Sequence, residues 1–89
     1  MQVEASHILV ADLNTAVTLK RKVTNGEDFS SIAQQHSLCP SRANGGSLGA
    51  FGPGMMVPEF EQATFALPVG QVSDPVQTQF GWHLIHRTA

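Results

Sequence analysis

Apolar and polar residues alternate at both ends of the chain, with the period of two that is typical of half-buried β-strands. The first stretch runs from Val3 to Val10 and the last from Phe80 to Arg87. Because successive side chains of a strand point to opposite faces, this alternation decides which residues share a face with His7 and His83. Leu9 shares the face of His7 and Ile85 that of His83, whereas the opposite faces carry Ile8, Val10, Trp82, Leu84 and His86.

Segments between these strands follow the period of an amphipathic α-helix. The first is capped by Asp12 or Asn14 and stops at Asn25-Gly26, the second begins after Asp28 and ends near Ser37, and the third begins at Pro58 and ends before Pro68. Each has an inward apolar stripe: Ala16, Leu19 and Val23, then Phe29, Ile32 and Ala33, then Phe60, Ala63 and Leu67.

Glycine and proline interrupt the chain from Leu38 to Pro58. We expect a loop there with at most one short helical turn, which leads into an extended piece from Leu48 to Phe51. A further short strand is predicted from Gln71 to Ser73, before a turn at Asp74-Pro75. This order of elements predicts an α+β domain with a small, largely antiparallel sheet. If the first and last strands are neighbours at its centre, His7 and His83 come together on one face.

Composition narrows the class of protein. The chain has 89 residues, of which 42% are hydrophobic and 13% charged, with a formal net charge of −2 and one cysteine, Cys39. This length supports one compact core, so we expect residues 1–89 to form a single domain. One cysteine forms no internal disulfide, and five basic residues offer no broad positive surface for nucleic acid. Since the sequence shows no leader and no membrane-length apolar run, we expect a soluble, monomeric, cytoplasmic protein that binds no membrane.

The histidines and the cysteine are the candidates for chemistry. His83 and His86 are three residues apart, which places them on opposite faces of a strand, so no metal site is predicted. Cys39 with His7 or His83 would make the nucleophile and base of a thiol hydrolase, although the chain has no nucleophile elbow. Large apolar residues near the glycine-rich loop instead predict a shallow apolar pocket beside polar side chains: Leu48, Met55 or Met56, Phe60 and Trp82. Peptide-bound proline is a ligand that suits such a pocket.

A series of motifs runs in order along almost the whole chain. They are Ala5-Ser6-His7-Ile8-Leu9-Val10, Asp28-Phe29, Gly46-Ser47-Leu48-Gly49-Ala50-Phe51, Met56-Val57-Pro58-Glu59-Phe60-Glu61, Phe65-Ala66-Leu67, Pro75-Val76 and Phe80-Gly81-Trp82-His83-Leu84-Ile85. Together they resemble the parvulin family of peptidyl-prolyl cis/trans isomerases. The resemblance implies a four-stranded antiparallel sheet surrounded by three to four helices, within the FKBP-like superfold, and an enzyme that needs no cofactor.

The resemblance also implies roles for individual residues. The substrate proline ring would bind in an apolar pocket of Leu48, Met56 and Phe60. Phe80 stands where some members have serine, and it would either add apolar contact beside the ring or only pack. A polar catalytic network would comprise His7, Cys39, Thr78 and His83. Because an aspartate occupies the position of Cys39 in some relatives, we expect the thiol to act electrostatically and not as a nucleophile.

The expected function is therefore the isomerisation of X-Pro bonds in proline-containing peptides and flexible protein segments, which assists folding. The alternative is a peptide-binding or chaperone module that uses the same groove without turnover. Phospho-dependent parvulins carry basic residues in the loop after the first strand, whereas here that loop reads Ala11-Asp12-Leu13-Asn14. We therefore expect no preference for phosphoserine or phosphothreonine before proline. The basic run Lys20-Arg21-Lys22 is expected to form a solvated helix face.

Overall fold

The computed structural model describes residues 2–89. In chain order its elements are β1 (Val3–Val10), α1 (Leu13–Thr24), α2 (Phe29–His36), a short 3₁₀ helix (Pro40–Asn44), β2 (Ser47–Phe51), α3 (Pro58–Ala66), β3 (Val76–Thr78) and β4 (Gly81–Arg87). Within this part of the chain, no helix has the length and apolar character needed to cross a bilayer.

The two ends of the chain meet at the centre of the sheet. Over the described residues the sheet has four strands in the order β2-β1-β4-β3, and all neighbouring pairs are antiparallel. In the central pair, His7 lies opposite Ile85 and Leu9 lies opposite His83. The predicted α+β architecture and the pairing of the first and last strands are confirmed.

Each face of the sheet carries its own apolar core, as the alternation of β1 and β4 predicts. One face packs against α1 and α2, and its buried residues are Ile8, Val10, Ala16, Leu19, Phe29, Ile32, Ala33 and Leu84. The other packs against α3, and its buried residues are Val3, Ala5, Phe51, Phe60 and Ile85. His7 and His83 lie on this second face, so α3 is the helix that faces them.

Side-chain caps explain where the first two helices begin. The carboxylate of Asp12 accepts a hydrogen bond from the Thr15 amide at 2.8 Å, and that of Asp28 accepts one from the Ser31 amide at 3.0 Å. Such a cap satisfies an otherwise unpaired helical N–H and contributes about 1 kcal/mol. The predicted starts of both helices are confirmed, with Asp12 and not Asn14 as the first cap.

The third strand differs from the prediction. Residues 71–73 form no strand: they contribute an isolated bridge between Val72 and His86 and two backbone hydrogen bonds to β4, whereas the ladder with β4 is formed by Val76–Thr78. The reason is the tight turn between β3 and β4, in which Thr78 pairs with Gly81 across two intervening residues. Gly81 adopts a φ of +140°, which a residue with a side chain rarely adopts. The hairpin thus pairs β4 with the segment that directly precedes it in the chain. The sequence analysis did not predict this hairpin.

One side chain also departs from its predicted surroundings. In α3, Ala63 packs against the core of Phe60 as predicted, and Thr64 is buried as well, with its hydroxyl donating to the Phe60 carbonyl at 2.8 Å. Lys20 is half-buried: its ammonium group donates to the carbonyls of Val72 and Ser73, at 2.9 and 3.1 Å. Lys20 therefore ties α1 to the segment that leads into β3, whereas the expectation was a solvated face.

Candidate active site

Two buried histidines from the central strands form the middle of the site. His7 on β1 and His83 on β4 are 5% and 4% exposed, and their Nδ1 atoms lie 3.0 Å apart. Their rings are stacked, with centroids 5.2 Å apart and planes inclined by 18°. The pairing of β1 with β4 makes them diagonal neighbours on one face of the sheet. His7 lies opposite Ile85, two residues from His83, and His83 lies opposite Leu9, two residues from His7. The meeting of His7 and His83 expected from the strand alternation is confirmed.

The histidine pair continues into a short chain of hydrogen bonds. His83 Nε2 lies 2.7 Å from the buried Thr78 hydroxyl, and the Phe80 amide donates to that hydroxyl at 3.2 Å. Thr78 ends β3 and Phe80 belongs to the turn into β4, so the hairpin that the sequence analysis missed is what holds the hydroxyl against His83. The structure thus joins three of the four residues expected in a polar network.

The shared hydrogen bond limits the charge of the pair. A bond between two ring nitrogens needs a proton on one and a lone pair on the other, so two doubly protonated rings would direct two N–H groups at each other. Burial, and secondarily the neighbouring His83, lowers the pKa of His7 to about 4, and burial also lowers the pKa of His83. The Nε2 atom of His7 is buried and has no hydrogen-bond partner among residues 2–89, so the doubly protonated ring would hold an unsatisfied donor there. Both imidazoles are therefore predominantly neutral near pH 7.

Glycine backbone supports the first histidine from below. The His7 amide donates to the Gly46 carbonyl at 2.9 Å, and Gly46 adopts a φ of +87°. A β-carbon at Gly46 would overlap the carbonyl oxygen of His7. The position therefore requires glycine for both its backbone conformation and its close approach to β1. Gly46 belongs to the loop that glycine and proline predict between Leu38 and Pro58.

Phe60 on α3 forms an apolar floor against both histidines. Its ring meets the His7 ring edge-to-face at 5.5 Å and 84°, and the His83 ring at 5.2 Å and 79°. Edge-to-face contact is a favoured arrangement of aromatic rings, and a 3% exposed phenylalanine excludes water from their surroundings. One side chain thus orients two imidazoles and lowers the polarity around them.

An apolar groove of about 520 Å³ opens above this floor. It is lined by His7, Leu9, Leu38, Cys39, Pro40, Leu48, Met55, Met56, Val57, Phe60, Phe80 and His83. The four residues expected to bind substrate, Leu48, Met56, Phe60 and Phe80, all line it. Phe80 is 61% exposed and stands at the rim, where its ring is available to a ligand. Trp82 lies on the other face of the sheet, packed against the core of α1 and α2, and the expectation that it belongs to the pocket is wrong.

Several lining residues were missed by sequence reasoning. Leu9, Leu38, Pro40 and Val57 reach the groove from β1, from the chain after α2 and from the loop before α3. Leu9 was open to detection, because it shares the face of His7 on β1. The others come from irregular segments, whose side-chain directions no periodicity indicates.

Cys39 lines the groove but stands apart from the histidines. It is half-buried, and its amide lies 3.3 Å from the buried Ser37 hydroxyl, which also accepts from the Leu9 amide at 3.1 Å. Ser37 therefore fastens this segment to β1. Among residues 2–89 the thiol makes no hydrogen bond with either histidine, so the pairing of nucleophile and base that a thiol hydrolase requires is not formed.

The remaining histidines lie outside the groove. His86 is on the opposite face of the sheet, where its ring contacts Phe29 at a centroid distance of 5.4 Å, and His36 is exposed at the end of α2. Within the described part of the chain, no three side chains of the histidine, cysteine, aspartate or glutamate type are grouped as metal ligands.

Comparisons with known proteins agree with this geometry. The family model "Rotamase: PPIC-type PPIASE domain" matches residues 8–89. Foldase protein PrsA from Geobacillus sp. (strain WCH70) is 56% identical over 88 residues, which make up 98% of this chain and 32% of that protein. The chain thus spans about a third of the length of this curated relative.

Solved structures show the same fold. The peptidylprolyl isomerase PrsA from Bacillus anthracis superposes with a TM-score of 0.98 at 46% identity, over 99% of this chain and 41% of that one. NmPin, the parvulin of Nitrosopumilus maritimus, superposes with a TM-score of 0.90 at 40% identity, over 99% of this chain and 96% of that one. The second comparison matches nearly the full length of both chains.

Proposed function

The chain belongs to the PPIC-type, or parvulin, family of peptidyl-prolyl cis/trans isomerases, and on that premise we propose how its groove acts and on what. The groove seats the proline ring of an extended protein segment against Phe60, Met56 and Leu48, and the preceding amide rotates beside His7 and His83. The observation that carries this proposal is an apolar groove with Phe60 as its floor and two neutral, mutually hydrogen-bonded histidines in its lining.

The physics of the reaction favours such a site. Rotation about an X-Pro bond meets a barrier of about 18–20 kcal/mol because it breaks amide resonance. The twisted amide has less charge separation than the planar one, so apolar surroundings stabilise it relative to the ground state. Each ~1.4 kcal/mol removed from the barrier gives a tenfold faster rotation. No covalent bond forms or breaks, so a groove that holds the proline ring in apolar surroundings can catalyse the rotation without a nucleophile.

The polar residues hold this environment in place. His7 and His83 fill the space under the ring without a charge, and the Thr78 hydroxyl fixes the orientation of the His83 ring. A charged imidazole would favour the planar, more polar amide and so oppose rotation. We assign His7, His83 and Thr78 to this role and Cys39 to the wall of the groove, with no nucleophilic step.

The ligands that suit the groove are flexible protein segments. Its rim carries three large apolar residues that are each more than half exposed, Leu38, Met55 and Phe80. Residues 11–14, which form the connection after β1 and the start of α1, include no cation, so phosphate before proline gains no charge partner there. Relatives that are named foldases align with 98% of this chain and are about three times as long. Assistance to folding by the whole protein is therefore a part of this proposal.

The test is exchange spectroscopy by NMR on a panel of short X-Pro peptides. We expect catalytic amounts of the chain to speed cis/trans exchange, with no gain when serine before proline is phosphorylated. Peptide-induced shifts in the groove residues without faster exchange would leave only a peptide-binding module. The cytoplasmic location and the monomeric state stay predictions, which fractionation of the source cells and sedimentation would check.

A further inference from the structure

One wall of the groove is built from a segment without regular secondary structure. Residues 52–57, here called the methionine loop, connect β2 to α3 and contribute Met55, Met56 and Val57 to the lining. Met56 is half-buried against the core beneath α3, whereas Met55 is 65% exposed at the rim. The loop forms no sheet ladder, so other contacts must hold this wall at its distance from Phe60.

The bonds within the methionine loop are weak. The Met55 amide donates to the Gly52 carbonyl at 3.4 Å, and the Gly52 amide donates to the Met55 sulfur at 3.2 Å. A thioether is a poor acceptor, and an N–H···O distance of 3.4 Å lies beyond the usual range. At the tip, Gly54 has a φ of +85° and open space where a β-carbon would be, so packing does not fix it.

A carboxylate on α3 holds the tip of this loop. The Gly54 amide donates to Glu61 Oε1 at 2.6 Å, the shortest bond that the loop makes within the described chain. A bond to an ionised acceptor is shorter and roughly twice as strong as one between neutral groups. Glu61 follows Phe60 directly on α3, so one turn of this helix supplies both the floor of the groove and the anchor of its wall.

We propose that Glu61 is a positioning residue that sets the methionine loop against Phe60 and thereby determines how tightly the groove holds its proline ligand. The inference rests on the proposed function of the groove. Glu61 does not line the groove, so it acts only through the loop. Its loss frees Gly54 and the neighbouring Met55, which must then be ordered when the ligand binds, and that ordering opposes binding.

The variants separate reach from charge. Glu61→Ala removes the acceptor, and Glu61→Asp keeps a carboxylate near the start of α3 but shortens its reach by one methylene. Glu61→Gln keeps a carbonyl acceptor at full reach. Glu59→Ala is the matched control, because Glu59 is an exposed acid in the same first turn and makes no hydrogen bond from its side chain within residues 2–89.

The dissociation constant of a short Ala-Leu-Pro-Phe peptide is measured by NMR titration, together with hydrogen exchange at the Gly54 amide. We expect Glu61→Ala and Glu61→Asp to weaken binding by about three- to tenfold and to speed exchange at Gly54, as loss of one charge-assisted bond predicts. The cis/trans exchange rate at saturating peptide should change less than the dissociation constant. Glu61→Gln restores most of the affinity, and Glu59→Ala matches the parent.

Unchanged affinity in Glu61→Ala, or an equal loss in Glu59→Ala, overturns the role of Glu61. Glu61→Gln binding no better than Glu61→Ala does the same. If Glu61→Ala does not fold, Glu61→Asp carries the same test with the charge retained. Failure of the parent chain itself to bind the peptide or speed its isomerisation is a different result, which removes the proposed function.

Discussion

Acidification is expected to destabilise the fold through the buried His7. The pKa of this ring is about 4 in the folded chain, because burial disfavours its charged form and His83 adds to the effect, whereas an exposed histidine titrates near 6.5. Well above pH 6.5, His7 is neutral in both the folded and the unfolded chain, so it adds no pH dependence to the free energy of unfolding. Below pH 6.5, the His7 ring binds a proton in the unfolded chain but not in the folded chain, so the free energy of unfolding falls as the pH falls.

The magnitude follows from the difference between the two pKa values. In the window between pH 6.5 and about 4, the free energy of unfolding decreases by up to ~1.4 kcal/mol per pH unit. Integrated from about pH 8 to about pH 5, the loss from His7 alone is about 2 kcal/mol. The lowered pKa of His83 adds a loss of the same sign.

Urea denaturation at these two pH values measures the effect. The parent should lose about 2 kcal/mol or more, and His7→Gln, which has no titrating ring at this position, should lose markedly less. His36→Gln is the matched control, since it makes the same histidine-to-glutamine change at an exposed position at the end of α2. An equal free energy of unfolding at both pH values, or the same decrease in parent and His7→Gln, would refute the argument.

Three further predictions concern single side chains. Gly46→Ala should destabilise the fold by about 2 kcal/mol or more in urea denaturation, because the added β-carbon overlaps β1 and the backbone is strained. Gly26→Ala should destabilise it clearly less, because Gly26 has a φ of +98° but open space around it. Met56→Ala should weaken binding of an X-Pro peptide by about tenfold in an NMR titration, because apolar contact is lost. Val69→Ala should not weaken it, because Val69 is exposed and outside the groove. Equal affinities of the parent and Met56→Ala would remove Met56 from the proline site. Cys39→Ala should keep the exchange rate within about threefold of the parent, because rotation about an amide breaks no bond to sulfur, and a complete loss of activity would restore a nucleophilic role.

Much of the fold was predictable because its signals are local. The caps Asp12 and Asp28 satisfy amides three residues away, so they mark the helix starts from sequence alone. The third strand was not predictable in this way, since both 71–73 and 76–78 lie within reach of β4. Residues 71–73 bond to the far end of β4, and the ladder of 76–78 with 81–83 depends on the tight turn at Gly81, a backbone conformation that no periodicity encodes.

The candidate site divides along the same line. Leu48 and Phe60, which line the groove from β2 and α3, were identified from the sequence, whereas Leu38 and Val57 emerge only once the loops are folded. Lys20 is a similar case, because its partners are carbonyls more than fifty positions along the chain. A contact between a side chain and a distant backbone leaves no pattern in composition or spacing.

The sequence by itself determined that His7 and His83 each lie on a defined face of a strand, because the period of two is a property of the extended backbone. The tertiary structure alone decided that these faces coincide, with the two Nδ1 atoms 3.0 Å apart and the Phe60 ring closing the floor beneath them. A strand specifies the direction of its side chains locally, but the choice of partner and the register come from the packing of the whole sheet. The neutral state of the pair follows from that burial, and it is therefore a property of the folded chain.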